Sequence, residues 1–374
     1  MWIGWIFALL AAGVLAGFAL FRRRTIVSCE APGPAEQGQP RKLSVIIPAR
    51  NEAFNLPGLL ASLREQTLRP FEVIVVDDDS SDGTADIARR YGATVVTHET
   101  PLPPGWTGKN WALRTGYAHA AGDLIAFLDA DIRLAPAALA SLVQARERAG
   151  GVVSVVPYHT AGRFYERLAL ILNVLGVFAF TSFLERRHPT GLYGSCILTT
   201  REDYERAGGH DGVRSEVLED LSLGVQYGRS GISVTNFLGA GMVSFRMYPH
   251  GIRSAVQGFS KGALLSTSKL SGYTILLVAL WVVGLIAAEL GLIFAVLAPS
   301  GGAVLLATGY LLYTLQLAYF IRYVGKFGVA VPLVHLLSTL SFLYVMAYSA
   351  YRVVFRGHVT WKGRQIEVGG KSSR

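Results

Sequence analysis

Asp129-Ala130-Asp131 follows the apolar run at 124–128. A buried strand ending in carboxylates spaced i, i+2 would aim both to one side of the pleat, at the sheet's carboxyl edge. Two hard oxygen ligands there suit a divalent cation that keeps several waters and binds phosphate oxygens. A plain strand end with a capping aspartate fits the same triplet. Three more groups invite similar chemistry. Asp77, Asp78 and Asp79 close the apolar run 71–76, ahead of Ser80-Ser81-Asp82-Gly83-Thr84. Glu219-Asp220 precedes the helical pattern 221–227, which is punctuated by Gly228 and Gly231. Lys109 follows Thr107-Gly108 at the opening of another helical stretch, a place where a cation can meet phosphate.

Each has a simpler alternative. Asp79, Ser80 or Asp82 can cap the helix that starts near Gly83, acids at a helix start can be dipole partners only, and Lys109 can be a solvated lysine. The stretch at 105–110 is no Walker P-loop, since it lacks that motif's spacing and its final Ser/Thr.

The elements that must position these groups alternate. Apolar strands at 43–47, 71–76 and 124–128 are separated by helical patterns at 56–66 and 84–91. Strand and helix in that rhythm predict an α/β domain with a mostly parallel sheet, ligands gathering at the strands' carboxyl ends.

These residues resemble the inverting glycosyltransferases of family 2, which have the GT-A fold, a Rossmann-like nucleotide-diphospho-sugar transferase architecture. The resemblance rests on VIIPARNE (45–52), VVDDDSSDGT (75–84), GDLIAFLDAD (122–131) and LED (218–220), in order. PLPPGWTGKNWA (101–112) and FRMYP (245–249) are similar to membrane glycosyltransferases that act on carotenoids, the diaponeurosporenoate type among them, and to hopanoid-associated relatives. Together the resemblance covers residues 43–262.

That resemblance implies a divalent cation, Mg²⁺ or Mn²⁺, with Asp131 as direct ligand. Asp129 would reach the ribose or a metal-bound water. Pro48, Ala49, Arg50 and Glu52 match the nucleotide-binding turn, with Glu52 near the ribose or base. Asp78 would accept from the uracil imide, with Asp77 its neighbour, and Lys109 joins the nucleotide side. Asp220, in the family's ED motif with Glu219, would be the base that deprotonates the acceptor as it attacks C1 with inversion. A carboxylate acceptor, already ionised near neutrality, would need Asp220 only for orientation. Gly208-Gly209-His210-Asp211 matches the acceptor-side loop, Gly209 standing for it and His210 read as a turn residue. Arg246 stands where processive members carry QxxRW; that motif is absent, which argues for one sugar added rather than many. Arg246 is expected near the diphosphate or acceptor.

Composition adds a membrane. The chain is 51% hydrophobic and 16% charged, too apolar for an ordinary soluble protein. Residues 2–21 carry no charge and are long enough to cross a bilayer. Arg22-Arg23-Arg24 follows, so this run reads as an anchor whose basic end stays in the cytoplasm. The net charge of +9 sits beside apolar segments, which fits anionic lipid and not the basic-aromatic face of a nucleic-acid binder. Two cysteines, Cys29 and Cys196, suggest no disulfide framework.

The expected organisation is an anchor at 1–24, a linker at 25–42, a GT-A domain at 43–265, a membrane region at 266–355 and a basic tail at 356–374. Residues 168–184 are expected to lie in the membrane interface, because a crossing there would put Asp131 and Asp220 on opposite sides; a buried helix of the catalytic domain is the alternative. The stretches 273–298, 302–321 and 327–351 are each long enough to span. Three crossings would leave the basic tail outside, against the positive-inside rule, so either one segment is re-entrant or the rule fails here, and the parity stays open at this level. The expected function is transfer of a single hexose from a UDP-sugar to a membrane lipid, a carotenoid, by a plasma-membrane enzyme with a cytoplasmic catalytic domain. Hopanoid, ceramide and polyprenyl-phosphate acceptors are alternatives, as is a non-catalytic nucleotide-sugar-binding subunit.

Overall fold

The computed structural model describes residues 2–29, 41–98, 100–182, 191–263, 270–298, 302–352, 358–361 and 364–367. In chain order the elements are α1 (Trp2–Leu20), β1 (Leu43–Ala49), α2 (Leu56–Arg64), β2 (Glu72–Asp77), α3 (Thr84–Arg90), β3 (Thr94–Thr97), α4 (Gly108–His119), β4 (Leu124–Leu128), β5 (Ile132–Leu134), α5 (Ala138–Ala149), β6 (Val152–Val156), β7 (Tyr158–Thr160), α6 (Phe164–Arg167), α7 (Leu170–Thr181), β8 (Cys196–Thr200), α8 (Arg201–Arg206), α9 (Glu219–Arg229), β9 (Val234–Leu238), β10 (Val243–Phe245), α10 (Ile252–Ala263), α11 (Gly272–Leu297), α12 (Ala303–Val324), β11 (Gly325–Lys326), α13 (His335–Tyr351), β12 (His358–Trp361) and β13 (Arg364–Glu367). They divide into two compact units.

One unit, residues 24–158, 188–247 and 351–374, is built on a seven-stranded sheet of order β3-β2-β1-β4-β8-β6-β9. β1 pairs in parallel with β2 and β4, whereas β8 runs antiparallel to β4 and β6. The sheet is therefore mixed, its first four strands parallel as expected. Alternating residues feed opposite layers: Val45 and Ile47 pack with Leu56, Leu59 and Leu60 of α2 and Leu139 of α5. Ile46 packs with Ala112 and Leu113 of α4 and Leu223 and Tyr227 of α9. A strand buried on both faces needs this continuous apolar sequence. Gly116 lets α4 lie on the sheet, since a Cβ there would stand 2.5 Å from Ile46. Residues 24–29 are tied down as well: Leu238 N–H donates to Arg24 O (2.7 Å) and Cys29 N–H to Ser141 Oγ (2.9 Å), which covers the edge strand β9.

The order β2-β1-β4 makes the chain reverse direction across the sheet between β1 and β4. Open α/β sheets form their ligand crevice at such a switch point, outside the strands' carboxyl ends.

The other unit, residues 1–23, 159–187 and 248–350, is helical and apolar. α11, α12, the stretch Val331–Tyr351 and the stretch Phe164–Thr181 are long and apolar enough to cross a membrane. α1, 19 residues, is about 28 Å long, and its Gly13 and Gly17 let α11 and α12 approach: a Cβ on Gly13 would meet Tyr313, one on Gly17 would meet Trp281. Small residues four apart are a common device for helix contact in lipid. Two polar side chains between these helices are paired, Trp281 Nε1–H donating to Gln316 Oε1 (2.8 Å) and Gln316 Nε2–H to Val14 O (2.7 Å). Within Phe164–Thr181 the helix is interrupted after Arg167, leaving α7 with 12 residues. That is about 18 Å, short of the ~30 Å hydrocarbon core. Residues 183–184 of the expected interfacial segment lie outside the described residues.

Candidate active site

Three loops meet at the carboxyl edge of β1, β2 and β4. Those after β1 and β2 are interlocked. Asn51 N–H donates to Ser80 Oγ (2.9 Å) and Asn51 Oδ1 accepts from Ser81 N–H (2.9 Å). Glu52 N–H reaches Thr84 Oγ1 (2.9 Å), and Asp82 Oδ2 accepts from Ala53 N–H (3.0 Å). Asn51 and Asp79 sit at φ 52° and 59°, the left-handed region that Asn and Asp tolerate best among non-glycine residues. Asp82 thus serves the turn, accepting from Thr84 N–H as well (3.2 Å).

The predicted nucleotide-side residues line this edge. Pro48 and Ala49 end β1, with Ala49 O accepting from Asp78 N–H (2.8 Å). Arg50 turns back over the next strand, its Nη1 donating to Asp78 O (2.5 Å) and Asp79 O (3.2 Å). Glu52 Oε2 accepts from Asn55 Nδ2 (2.8 Å). Asp77 and Asp78 are buried, and Asp77 Oδ1 has no hydrogen-bond partner among the described residues. His98 Nε2 lies 3.6 Å from Asp78 Oδ1, and the His98 ring stacks at 6.0 Å on Trp111, which meets Trp106 edge-on at 5.1 Å. The sequence reading singled out none of these three rings. The signal was present for the tryptophans, which lie in the 101–112 stretch, and absent for His98, which no local pattern marks.

Asp129 and Asp131 do not themselves belong to β4, so the pleat is not what sets their direction. β4 stops at Leu128, and residues 129–131 occupy the turn into β5, where no pleat constrains direction. The two carboxylates accordingly take different neighbours. Asp131 faces Arg133, whose guanidinium is pulled down by burial against the opposing pull of the Asp131 and Glu52 carboxylates. Asp129 Oδ1 instead stands 3.0 Å from Lys109 Nζ, and Lys109 Nζ stands 2.9 Å from Glu219 Oε1.

Lys109 occupies the first turn of α4, capped by Thr107 through Asn110 N–H (3.4 Å). A cation there opposes the helix dipole, and its two carboxylate partners offset that. Burial pulls the Lys109 ammonium down, yet Asp129, Glu219 and Asp220 together hold it well above the usual lysine range. Asn110, fully buried, donates from Nδ2 to the carbonyls of Val213 (2.8 Å), Arg214 (3.1 Å) and Glu216 (3.2 Å). It thereby fixes the loop that leads into Glu219 and Asp220.

Glu219 and Asp220 form the first turn of α9. Asp220 Oδ2 accepts from Gly194 N–H (2.9 Å) and Oδ1 from its neighbour Leu221 N–H (2.9 Å). Burial, reinforced by Glu219, raises the Asp220 carboxyl to about 7, while Lys109 and the two N–H donors pull the other way. His210 is buried behind this cluster, Nδ1 2.7 Å from Tyr204 Oη. Burial holds it down at about 4, so it is neutral near neutral pH. Gly209 lies against the Tyr204 ring at φ 52°, its carbonyl accepting from Gln226 Nε2 (2.9 Å). Arg246 is half-buried just beyond β10.

The structure thus brings Lys109, Asp129, Glu219 and Asp220 together at the switch point, with Asp77, Asp78 and Glu52 along the same edge. No three His, Cys, Asp or Glu side chains among the described residues form a preassembled metal cage. Asp129 and Asp131 supply two hard oxygens, a donor set that fits Mg²⁺ or Mn²⁺ completed by water and phosphate oxygens.

The family model for glycosyl transferase family 2 matches residues 44–208. The 4,4'-diaponeurosporenoate glycosyltransferase of Staphylococcus haemolyticus (strain JCSC1435) is 34% identical over 363 residues, covering 95% of this chain and 96% of that protein. The chain is a family 2 glycosyltransferase. The protein of the same description from Staphylococcus aureus (strain MRSA252) is 35% identical to this glycosyltransferase over 334 residues, 88% of this chain and 89% of that one. In fold, the glycosyltransferase is similar to a mannosyltransferase from Pyrobaculum calidifontis, solved with GDP-Man and Mn²⁺. That likeness has a TM-score of 0.51 at 22% identity and covers 92% of this chain and 99% of the other.

Proposed function

We propose that this glycosyltransferase moves one hexose from a UDP-sugar to a carotenoid carboxylate held in the membrane, with inversion at C1. The observation that carries this is the convergence of Lys109, Asp129, Glu219 and Asp220 at the switch point, a donor-side cation and acids set against an acceptor-side acid. The curated relatives, named for a carotenoid carboxylate, support the acceptor class.

In this reading the nucleotide lies along the β1–β2 edge. Asp78 accepts from the base, Glu52 meets the ribose or base, and the rings of His98 and Trp111 wall the pocket. Asp131, with Asp129, would hold Mg²⁺ or Mn²⁺, which when bound would neutralise charge developing on the diphosphate leaving group. Lys109 would face the same diphosphate, and Arg246 and Gly209 would belong to the diphosphate or acceptor side. Asp220 faces the acceptor from the first turn of α9. An ionised acceptor needs no base. The raised Asp220 carboxyl, still largely protonated just below neutral pH, instead donates a hydrogen bond to the incoming carboxylate and orients it. A hydroxyl-bearing lipid would require the ionised form as base.

The helical unit would sit in the plasma membrane, α7 lying in the interface and the arginines at 22–24 in the cytoplasm with the catalytic unit. Lipid extracts of carotenoid-producing cells expressing wild type or Asp131→Ala test the proposal by mass spectrometry. A pigment gaining one hexose only with wild type is expected. A different lipid gaining the sugar removes the carotenoid assignment, and no glycosylated lipid in either strain removes the catalytic one.

A further inference from the structure

The segment 191–195 is gripped from two sides. On one side it holds the acids: Gly194 N–H donates to Asp220 Oδ2 (2.9 Å), Leu192 N–H to Asp220 O (3.2 Å), and Ser195 O accepts from Asp129 N–H (2.9 Å). It lies tight on the start of α9, since a Cβ on Gly191 would stand 2.4 Å from Leu221 and one on Gly194 2.9 Å from Asp220 Oδ2. On the other side it rests on two buried polar residues of neighbouring parallel strands, Ser154 of β6 and Asn236 of β9. Asn236 Nδ2–H donates to Gly191 O (2.9 Å), Ser154 Oγ–H donates to Asn236 Oδ1 (2.5 Å), and Ser154 Oγ accepts from Tyr193 N–H (3.0 Å).

A buried hydroxyl and amide inside a sheet are costly unless hydrogen-bonded, and here the bonds converge on a segment that hydrogen-bonds both Asp129 and Asp220. We propose that Ser154 and Asn236 are positioning residues, a brace under 191–195 that sets where the Asp220 carboxyl points. The inference rests on the acceptor-side role of Asp220. The brace bonds Gly191 and Tyr193, next to the Gly194 N–H that holds Asp220, and makes no bond to the β1–β2 edge, so its removal is expected to disturb acceptor orientation more than donor binding.

The test is a double-mutant cycle on sugar transfer from UDP-glucose to a carotenoid carboxylic acid in membranes, with UDP affinity measured alongside. Asn236→Ala is expected to lower turnover ten- to a hundredfold and leave UDP affinity within twofold. Asn236→Asp, which keeps the acceptor for Ser154 Oγ but loses the donor to Gly191 O, should behave the same. In an Asp220→Ala background Asn236→Ala should cost less than a further twofold, since coupled residues are non-additive. Losses that multiply, or UDP affinity falling in step with turnover, overturn the brace. Undiminished turnover in Asp220→Ala alone overturns the Asp220 role, and the brace with it.

A second observation stands apart, inside the helical unit, and assumes only that this unit is embedded in lipid. Glu289, buried about two-thirds of the way along apolar α11, has its Oε1 2.6 Å from His335 Nδ1 and accepts from Thr339 Oγ1–H (2.6 Å). His335 begins α13, yet its ring stacks at 4.2 Å on Tyr310, and Tyr310 Oη–H donates to Leu333 O (2.8 Å). Tyr310 lies fourteen residues before the end of α12 at Val324, about 21 Å along the axis. Residues 325–334 therefore climb back beside α12 before α13 starts.

The far end of α13 returns. Ser349 Oγ–H donates to Ser260 O of α10 (2.7 Å). Gly258 of α10 abuts the Tyr248 ring, and Tyr248 O accepts from Tyr165 Oη of α6 (2.8 Å). Arg167 of α6 in turn lies against Gly328, just past α12. We infer that residues 325–351 are re-entrant, clamped at their deepest point by Glu289, His335 and Thr339, and that the tail emerges on the side of Lys326. The basic end of α1 shares that level, with Phe21 stacked at 4.5 Å on Phe320 and Arg23 over Tyr323. Among the described residues, Arg22, Arg23, Arg167, Arg322 and Lys326 then fall on one side, as the positive-inside rule asks. An acidic group deep in lipid calls for such a partner.

Single cysteines at Ser300 and Ser373, in a Cys29→Ser, Cys196→Ser background that retains sugar transfer, test the topology with a membrane-impermeant maleimide. Ser300→Cys should be labelled in intact cells and Ser373→Cys only after permeabilisation. Labelling of Ser373→Cys from outside overturns the inference.

Discussion

Lys109 stands 2.9 Å from Glu219, with Asp129 3.0 Å away on its other side. One ammonium therefore joins an acid of the β4 turn to an acid of the α9 start. Lys109→Ala leaves two carboxylates facing each other. Removing one partner from a buried pair costs about 3–5 kcal/mol. The lower end is expected here, because a fifth of the Lys109 side chain is exposed. Thermal unfolding in detergent measures the cost, and turnover should fall at least tenfold.

Asp131→Ala should weaken UDP binding in the presence of Mn²⁺ and leave metal-free binding unchanged. Titration of both variants with and without Mn²⁺ gives the answer. Equal affinities in Mn²⁺ would remove Asp131 from the metal.

Asp220 carries a pH signature of definite sign. Its folded carboxyl, at about 7, lies above the ordinary aspartate value of about 3.9, so the folded chain binds this proton more tightly than the unfolded one. The stability it contributes is full below about pH 4 and is lost as pH rises through about 7. The Tm of Asp220→Asn relative to wild type should therefore rise between pH 5 and pH 8. Asparagine also mimics the protonated acid, so with a carotenoid carboxylate this variant should keep substantial turnover. Near-complete loss would assign a hydroxyl acceptor instead.

Gly194→Ala places a Cβ 2.9 Å from Asp220 Oδ2 and 3.2 Å from its Cβ and Cγ. The expected result is a turnover loss of ten- to a hundredfold with UDP affinity retained. Comparing KM for donor and acceptor checks it.

Three strands, β1, β2 and β4, their order along the chain and the acids that follow them were legible because each is a local pattern: an apolar run, then a break into short polar residues. The helices long and apolar enough to cross a membrane were legible from length and charge alone. The pleat argument for Asp129 and Asp131 did not apply because a strand's end is the least certain part of its pattern, and one residue of turn frees both side chains. Lys109, Asp129 and Glu219 were each expected at the site, but the ion pairs that join them could not be read, since nothing local ties position 109 to 129 and 219. Ser154 and Asn236 were equally silent, two ordinary polar residues in strands 82 positions apart in sequence. Glu289 did carry a signal, a single acid within 26 apolar-helix residues, which length-based reading passes over.

The interlocked turns at 51–53 and 80–84 have a kinetic meaning. Their cross-bonds are made within the protein, so the two loops are ordered when the domain folds and need little further ordering when a nucleotide arrives. Entry should then be governed by diffusion and charge, not by loop closure.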